Sequence, residues 1–376
     1  MRLLFISCTA LLANAWQRTP TNLAQPLVAG SAAASPGPGC RLATVLNLPS
    51  CDGLLDSGTK HGQYAVHSWL LKALAAPVRP GAAVLVNASF TFPHPLRPGC
   101  YSALRRHADA HPNVTFLAVS FHTSDFLPNS AVGRHAGPSP SNVKWIVMEP
   151  TGGKTGSILP MPYVVDRHKW PAQTLRPTPW EQRKLLFFAG HVSKPGWWIP
   201  TGSVRRALVV ALKNETRATV SAQFLAHVEA NQSSPRLTIQ QYVRAAHEHR
   251  FCLVSPGDTP STRKLAETMV LAAEGACLPL VIARTFLPYV DELNYTAVVT
   301  SAPLPRSREA ASRLLDRLEQ VDRHEARARI EAARGMRRTF LQPRAALFAL
   351  RRFGAVSTHH HCPSTGGKTG QYTLDV

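Results

Sequence analysis

The chain has 376 residues, of which 44 % are hydrophobic, enough for one large or two medium domains around a sizeable core. Only 17 % are charged, which excludes a disordered chain. The formal net charge of +20 calls for anionic partners. The arginines are scattered and no zinc-finger or recognition-helix pattern occurs, so a nucleic-acid partner is not expected.

Residues 1–16 open with Met1-Arg2, run apolar from Leu3 to Leu12 and end at Ala13-Asn14-Ala15, the pattern of a secretory signal or a short signal anchor. The run is too short for an ordinary membrane span. Residues 17–60, with Ser31 to Gly39 built from Ser, Ala, Pro and Gly, read as a flexible stem. Asn87, Asn113, Asn214, Asn231 and Asn294 each begin an N-x-[ST] acceptor pattern, in keeping with secretion. Leaving out Cys8, six cysteines remain and no C-x-x-C pair occurs, which argues against zinc ribbons and thioredoxin-like chemistry. Cys40 and Cys51 are near enough in sequence to pair. Cys252 and Cys277 lie in apolar runs and read as buried small hydrophobes.

A first α/β set spans residues 61–175. It comprises a helix at 64–75, a strand at 82–86, a helix at 101–110 and strands at 114–121 and 143–148. Three prolines between 171 and 181 suggest a linker. A second set spans residues 176–345. Its strand at 184–189 leads through a Gly/Pro loop to a helix that Ser203 could cap and that runs to about 212. A helix at 239–249 feeds a strand at 251–254, another apolar strand lies at 278–283, and a helical pattern fills 307–341. Residues 346–376 form a tail without a strong signal. Strands alternating with helices imply parallel sheets, and two such halves facing each other would leave a ligand cleft between their carboxyl edges.

The most informative stretch runs from Phe251 to Glu267: a buried strand, a tight polar loop and a helix start. That order brings loop amides and a helix N-terminus to the edge where phosphates bind. Thr259 reads as the helix cap with Pro260 in the first turn. Arg263 would face a diphosphate, with an i,i+4 salt bridge to Glu267 as the alternative use of both. Asp258 is either a ligand contact or an Asx-turn residue, and Lys264 reads as a solvated helix residue.

The second half resembles the exostosin family of glycosyltransferases. The likeness is carried by 183–190, 203–208 and 242–265, with Cys277-Leu-Pro-Leu-Val-Ile282 and Leu287 to Tyr295 in the same order, and extends more loosely over 64–320. It implies a GT-B fold, with two Rossmann-like domains whose parallel sheets face a central cleft. It also implies a nucleotide-sugar donor, inversion at the anomeric carbon, and work in the Golgi lumen. In similar enzymes Gly257, Asp258, Thr259, Ser261, Arg263 and Glu267 would hold the donor, bordered by Gly190, His191, Lys194 and Arg205. The run from Glu267 to Cys277 is longer than the family's usual one, which makes Glu274 a rival acid.

Inverting transfer needs a base for the acceptor hydroxyl, neutralisation of the leaving diphosphate, and in-line alignment. Asp125 and Glu149 follow apolar strands of the first half and are the candidate bases, with His122 beside them. No Asp-x-Asp occurs, so no metal or other cofactor is expected and a guanidinium with a helix dipole would serve instead. His247 and His249 are two apart and make poor metal partners, and both Thr-Gly-Gly-Lys-Thr-Gly copies read as turns. Trp197 and Trp198 could stack on a sugar or pack within their loop. The expected protein is a secretory-pathway glycosyltransferase moving sugar from a UDP-sugar to a polysaccharide or glycoprotein glycan, with membrane attachment possible through the N-terminus. The competing expectation is a non-catalytic, basic glycan-binding protein on the same scaffold.

Overall fold

The computed structural model describes residues 44–48, 83–89, 98–123, 139–149, 158–160, 163, 165, 178–192, 202–224, 237–257, 261–282 and 285–341. Two five-stranded sheets organise them, and every strand pairing in both is parallel.

The first sheet contains β1 (Thr44–Asn47), β2 (Ala83–Ser89), β3 (Thr115–Thr123), β4 (Val143–Glu149) and β5 (Ile158–Pro160), ordered β1-β2-β3-β4-β5. Its helix α1 (Pro98–Ala110) presents Tyr101, Leu104 and Ala108 at helical spacing to a core with Val86, Phe116, Val143 and Trp145, while Arg105 and Arg106 face water. Asn142 fastens the start of β4. Its amide donates to the carbonyls of Ala108, His111 and Val114 at 3.0, 3.1 and 3.0 Å. β1 lies inside the stretch read as stem, where its four residues add an edge strand against β2.

The second sheet contains β6 (Lys184–Val192), β7 (Ala218–Phe224), β8 (His249–Val254), β9 (Leu278–Ile282) and β10 (Thr300–Ala302), ordered β10-β9-β8-β6-β7. Helices α2 (Gly202–Leu212), α3 (Ile239–Glu248), α4 (Arg263–Ala273), α5 (Arg308–Glu319) and α6 (Arg323–Phe340) accompany it. β8 is buried from Phe251 to Val254 and β9 along its whole length, as expected for central parallel strands covered on both faces. α4 is buried from Leu265 to Ala273, so only its first turn reaches the surface. It ends with Gly275 at φ 81°. The Gly275 and Ala276 amides donate back to Ala272 and Leu271, closing a Schellman motif that needs glycine there. Arg183, buried, donates to the carbonyls of Gly275 and Ala276 just beyond it.

Three expectations change, and one strand, β7, was not anticipated. Cys252 and Cys277 are buried, as read, but they form a disulfide, because β8 and β9 are neighbours and bring the Cα atoms within 5.5 Å. The cap of α4 is Thr262, not Thr259: its side chain accepts the Lys264 amide, and the Gly257 amide donates to the Ser261 carbonyl just ahead of it. The helical pattern at 307–341 is two helices, capped by Ser307 and Asp322. β7 escaped the pattern because it is a half-buried edge strand. The expected helix at 64–75 and the prolines Pro171 and Pro177 lie outside the described residues.

Candidate functional site

The order of the second sheet sets where a site can form. β6 is followed by β7 on one side and by β8 on the other, so the connections leave in opposite directions. This is the flavodoxin-like order, whose switch point opens a crevice at the carboxyl ends of the two diverging strands. The pairings show the opening. β6 and β8 stay in register only up to Phe187 and Cys252, while β6 remains with β7 as far as Val192 and Phe224.

Arg205 of α2 bridges the diverging ends. Its Nε donates to the Pro256 carbonyl at 2.8 Å and its Nη1 to the His191 carbonyl at 3.0 Å. Gly257 follows, and a Cβ there would stand 2.6 Å from the Ser261 carbonyl oxygen, so the loop admits glycine alone. Thr262 accepts the Lys264 amide and starts α4. On the other side Thr238 and Gln241 form a reciprocal capping box at the start of α3.

A pocket of about 180 Å³ occupies the switch point. Ala189, Gly190 and His191 of β6 and Ser221 of β7 line one wall. The first turn of α3 contributes Thr238, Ile239 and Tyr242, preceded by Leu237, and the first turns of α4 contribute Arg263, Lys264 and Glu267. Two helix N-termini thus border one small pocket, each carrying a partial positive charge.

The charged side chains are coupled. Glu267 is 8 % exposed, and both its oxygens are engaged: Oε1 with Arg263 Nε at 2.9 Å and Oε2 with Lys264 Nζ at 2.8 Å. Lys264 Nζ also lies 3.6 Å from the centre of the Tyr242 ring. Burial works against its charged form, but Tyr242 and Glu267 outweigh that and its pKa sits above the usual lysine value. Burial also pushes the Tyr242 phenol up.

Of the residues named from sequence, Gly190, His191, Arg263 and Glu267 come together in this pocket. Gly257 and Ser261 shape the loop beside it, and the Gly257 amide is already donated to Ser261. Lys194, Asp258, Thr259 and Asp125 lie outside the described residues. Glu149 ends β4 in the other sheet. Glu274 sits at the far end of α4 against Arg337 Nη2 at 2.7 Å, so Glu267 is the acid at the pocket. Lys264 is a correction: it is half-buried and paired rather than solvated. Tyr242, Ser221 and Thr238 were not anticipated, although the Thr-x-x-Gln signature of the α3 cap was there to read.

His247 and His249 are both buried but in different surroundings. His249 is buried between the Ala245 carbonyl at 2.6 Å and the Thr219 hydroxyl at 2.8 Å. His247 is buried with neither ring nitrogen hydrogen-bonded. Among the described residues no group of three His, Cys, Asp or Glu side chains could hold a metal ion, and no helix is long and apolar enough to cross a membrane.

A doubly wound parallel unit with a cationic pocket at its switch point belongs to the class of fold that binds nucleotides and related phosphates. The family model for the Exostosin GT47 domain matches residues 111–318, more than half of the chain. The chain belongs to the exostosin GT47 family of glycosyltransferases. No curated protein matches it. Among solved structures it is similar to a glycosyltransferase from Rickettsia africae ESF-5, with 12 % identity, 79 % of this chain and 82 % of that one covered and a TM-score of 0.45. It is also similar to the glycotransferase of kitacinnamycin, with 11 % identity, 81 % and 84 % covered and a TM-score of 0.39. The family assignment rests on the domain match.

Proposed function

We propose that this protein transfers a sugar, with inversion, from a UDP-sugar to a polysaccharide or glycoprotein glycan. The observation that carries the reading is the pocket at the carboxyl end of β6, where Arg263 and Glu267 stand together at the start of a buried helix. In this reading the helix end and the Arg263 guanidinium take the donor diphosphate, and Glu267 takes the ribose hydroxyls. The acceptor oxygen attacks the anomeric carbon from the face opposite the diphosphate. Its proton passes to a base, and the bond from the anomeric carbon to the phosphate oxygen breaks with its electron pair on UDP. Preorganised positive charge where that leaving charge develops speeds the step without a metal. Glu149 and Asp125 are the bases proposed, with Glu149 at the carboxyl end of β4, where ligands sit in parallel sheets.

A secretory, Golgi-lumenal location accompanies this reading. The Cys252–Cys277 disulfide and a disulfide at Cys100 suit an oxidising compartment. Three of the N-x-[ST] asparagines, Asn113, Asn214 and Asn294, are exposed. Membrane attachment through residues 1–16 is part of the same proposal.

Calorimetry with UDP tests the reading, together with donor hydrolysis. Wild-type protein is expected to bind UDP without added metal, and Arg263→Ala to lose most of that affinity. Salt-sensitive glycan binding with no nucleotide binding would instead identify a non-catalytic glycan-binding protein.

A further inference from the structure

Glu267 is a nearly buried carboxylate, and a buried charge needs partners that hold it in place. Two cations are in place, and they are not equivalent. The Arg263 side chain is 45 % exposed, and Glu267 is its partner. The Lys264 side chain is 30 % exposed and held from two sides, by Glu267 and by the face of Tyr242. The Lys264 ammonium is held by a carboxylate and an aromatic ring together, whereas the Arg263 guanidinium reaches the same carboxylate from the solvent side. An anion entering the pocket therefore draws Arg263 away from Glu267 and leaves Lys264 where it is.

We infer that Lys264, seated on the Tyr242 ring, is a positioning residue. It keeps the Glu267 carboxylate oriented towards the pocket while Arg263 changes partner from Glu267 to the ligand's diphosphate. The inference rests on the nucleotide-sugar reading of this pocket. It divides labour between adjacent residues: Arg263 serves the phosphates, and Lys264 serves the nucleoside end through Glu267. Tyr242 brings α3 into the site as the support for the amine.

Titrating the full chain with UDP and, separately, with uridine tests this, because uridine lacks the phosphates. Arg263→Ala is expected to weaken UDP about thirtyfold and to leave uridine within about twofold. Lys264→Met is expected to weaken both ligands by the same factor, about tenfold. Tyr242→Leu should match Lys264→Met, and Tyr242→Phe, which keeps the ring face but loses the phenol's hydrogen bond to Lys264, should weaken both ligands by less than Tyr242→Leu does. The two Tyr242 variants give the same reading from α3 should Lys264→Met not fold. A Lys264→Met protein that loses UDP but keeps uridine would overturn the inference and make Lys264 a second phosphate cation. Unchanged binding of both ligands by Lys264→Met and Tyr242→Leu would also overturn it. Wild-type protein that binds neither ligand would remove the nucleotide reading itself, a distinct result.

Discussion

The two sheets are built alike and differ in strand order. The first runs β1-β2-β3-β4-β5, each described strand beside its predecessor and successor in the chain. The second reverses direction at β6, and at the carboxyl end of that strand a pocket opens with two helix N-termini, two cations and a carboxylate. In the first sheet the polar fastening is structural: Asn142 ties α1 and the following turn to β4. In the second it is both structural, through Arg183 and Arg205, and ligand-directed, through Arg263, Lys264 and Glu267. Similar parallel architecture therefore becomes a binding site where connections diverge and leave strand ends uncovered.

The comparison can be broken most strongly at the disulfide. Cys252 and Cys277 close a covalent loop that contains α4. The double Cys252→Ala/Cys277→Ala variant should lose about 3 kcal/mol, read by denaturant unfolding of the second half. An unchanged midpoint would refute that role.

Arg263→Ala should cost about 2 kcal/mol of UDP binding by calorimetry while thermal unfolding stays near wild type, since the Arg263–Glu267 pair is largely exposed on the arginine side. Asn142→Ala should do the opposite. It should cost about 1–2 kcal/mol of stability in the first half and leave UDP affinity untouched. Joint loss of stability and UDP affinity in either variant would mean that the two halves are not separable in this way.

The smallest effect is on pH dependence. Burial lowers the pKa of His247, helped by Arg183, and burial also lowers that of His249. Each is harder to protonate in the folded protein than in the unfolded chain, so the unfolded chain takes up protons first as pH falls. Stability is thus full above the ordinary histidine pKa and falls as pH drops through it. Unfolding midpoints measured from pH 7.5 down to 5 should fall, and His249→Gln should flatten the slope.

Much of this was legible in local sequence. The runs at Phe251 to Val254 and at Leu278 to Ile282 are apolar on both faces and mark central parallel strands. Arg263 and Glu267, one turn apart, marked the helix face at the site. The α4 cap was misplaced because Thr259-Pro260 imitates a helix start, whereas the Gly257-to-Ser261 backbone bond just ahead of Thr262 depends on loop geometry. The Cys252–Cys277 pair, 25 residues apart, follows from strand adjacency that no local pattern encodes. Tyr242 beneath Lys264 depends in the same way on α3 lying beside α4. Side chains from different elements meet through topology, and the strand order carries that information.

Hydrogen–deuterium exchange of the full chain with and without UDP tests most directly the claim that the switch point of the second sheet is the donor site. The account predicts slower exchange in peptides covering 189–192, 238–242 and 255–267, with no change across 83–89. Protection confined to the strands of the first sheet, with none at the carboxyl ends of β6 and β8, would contradict it.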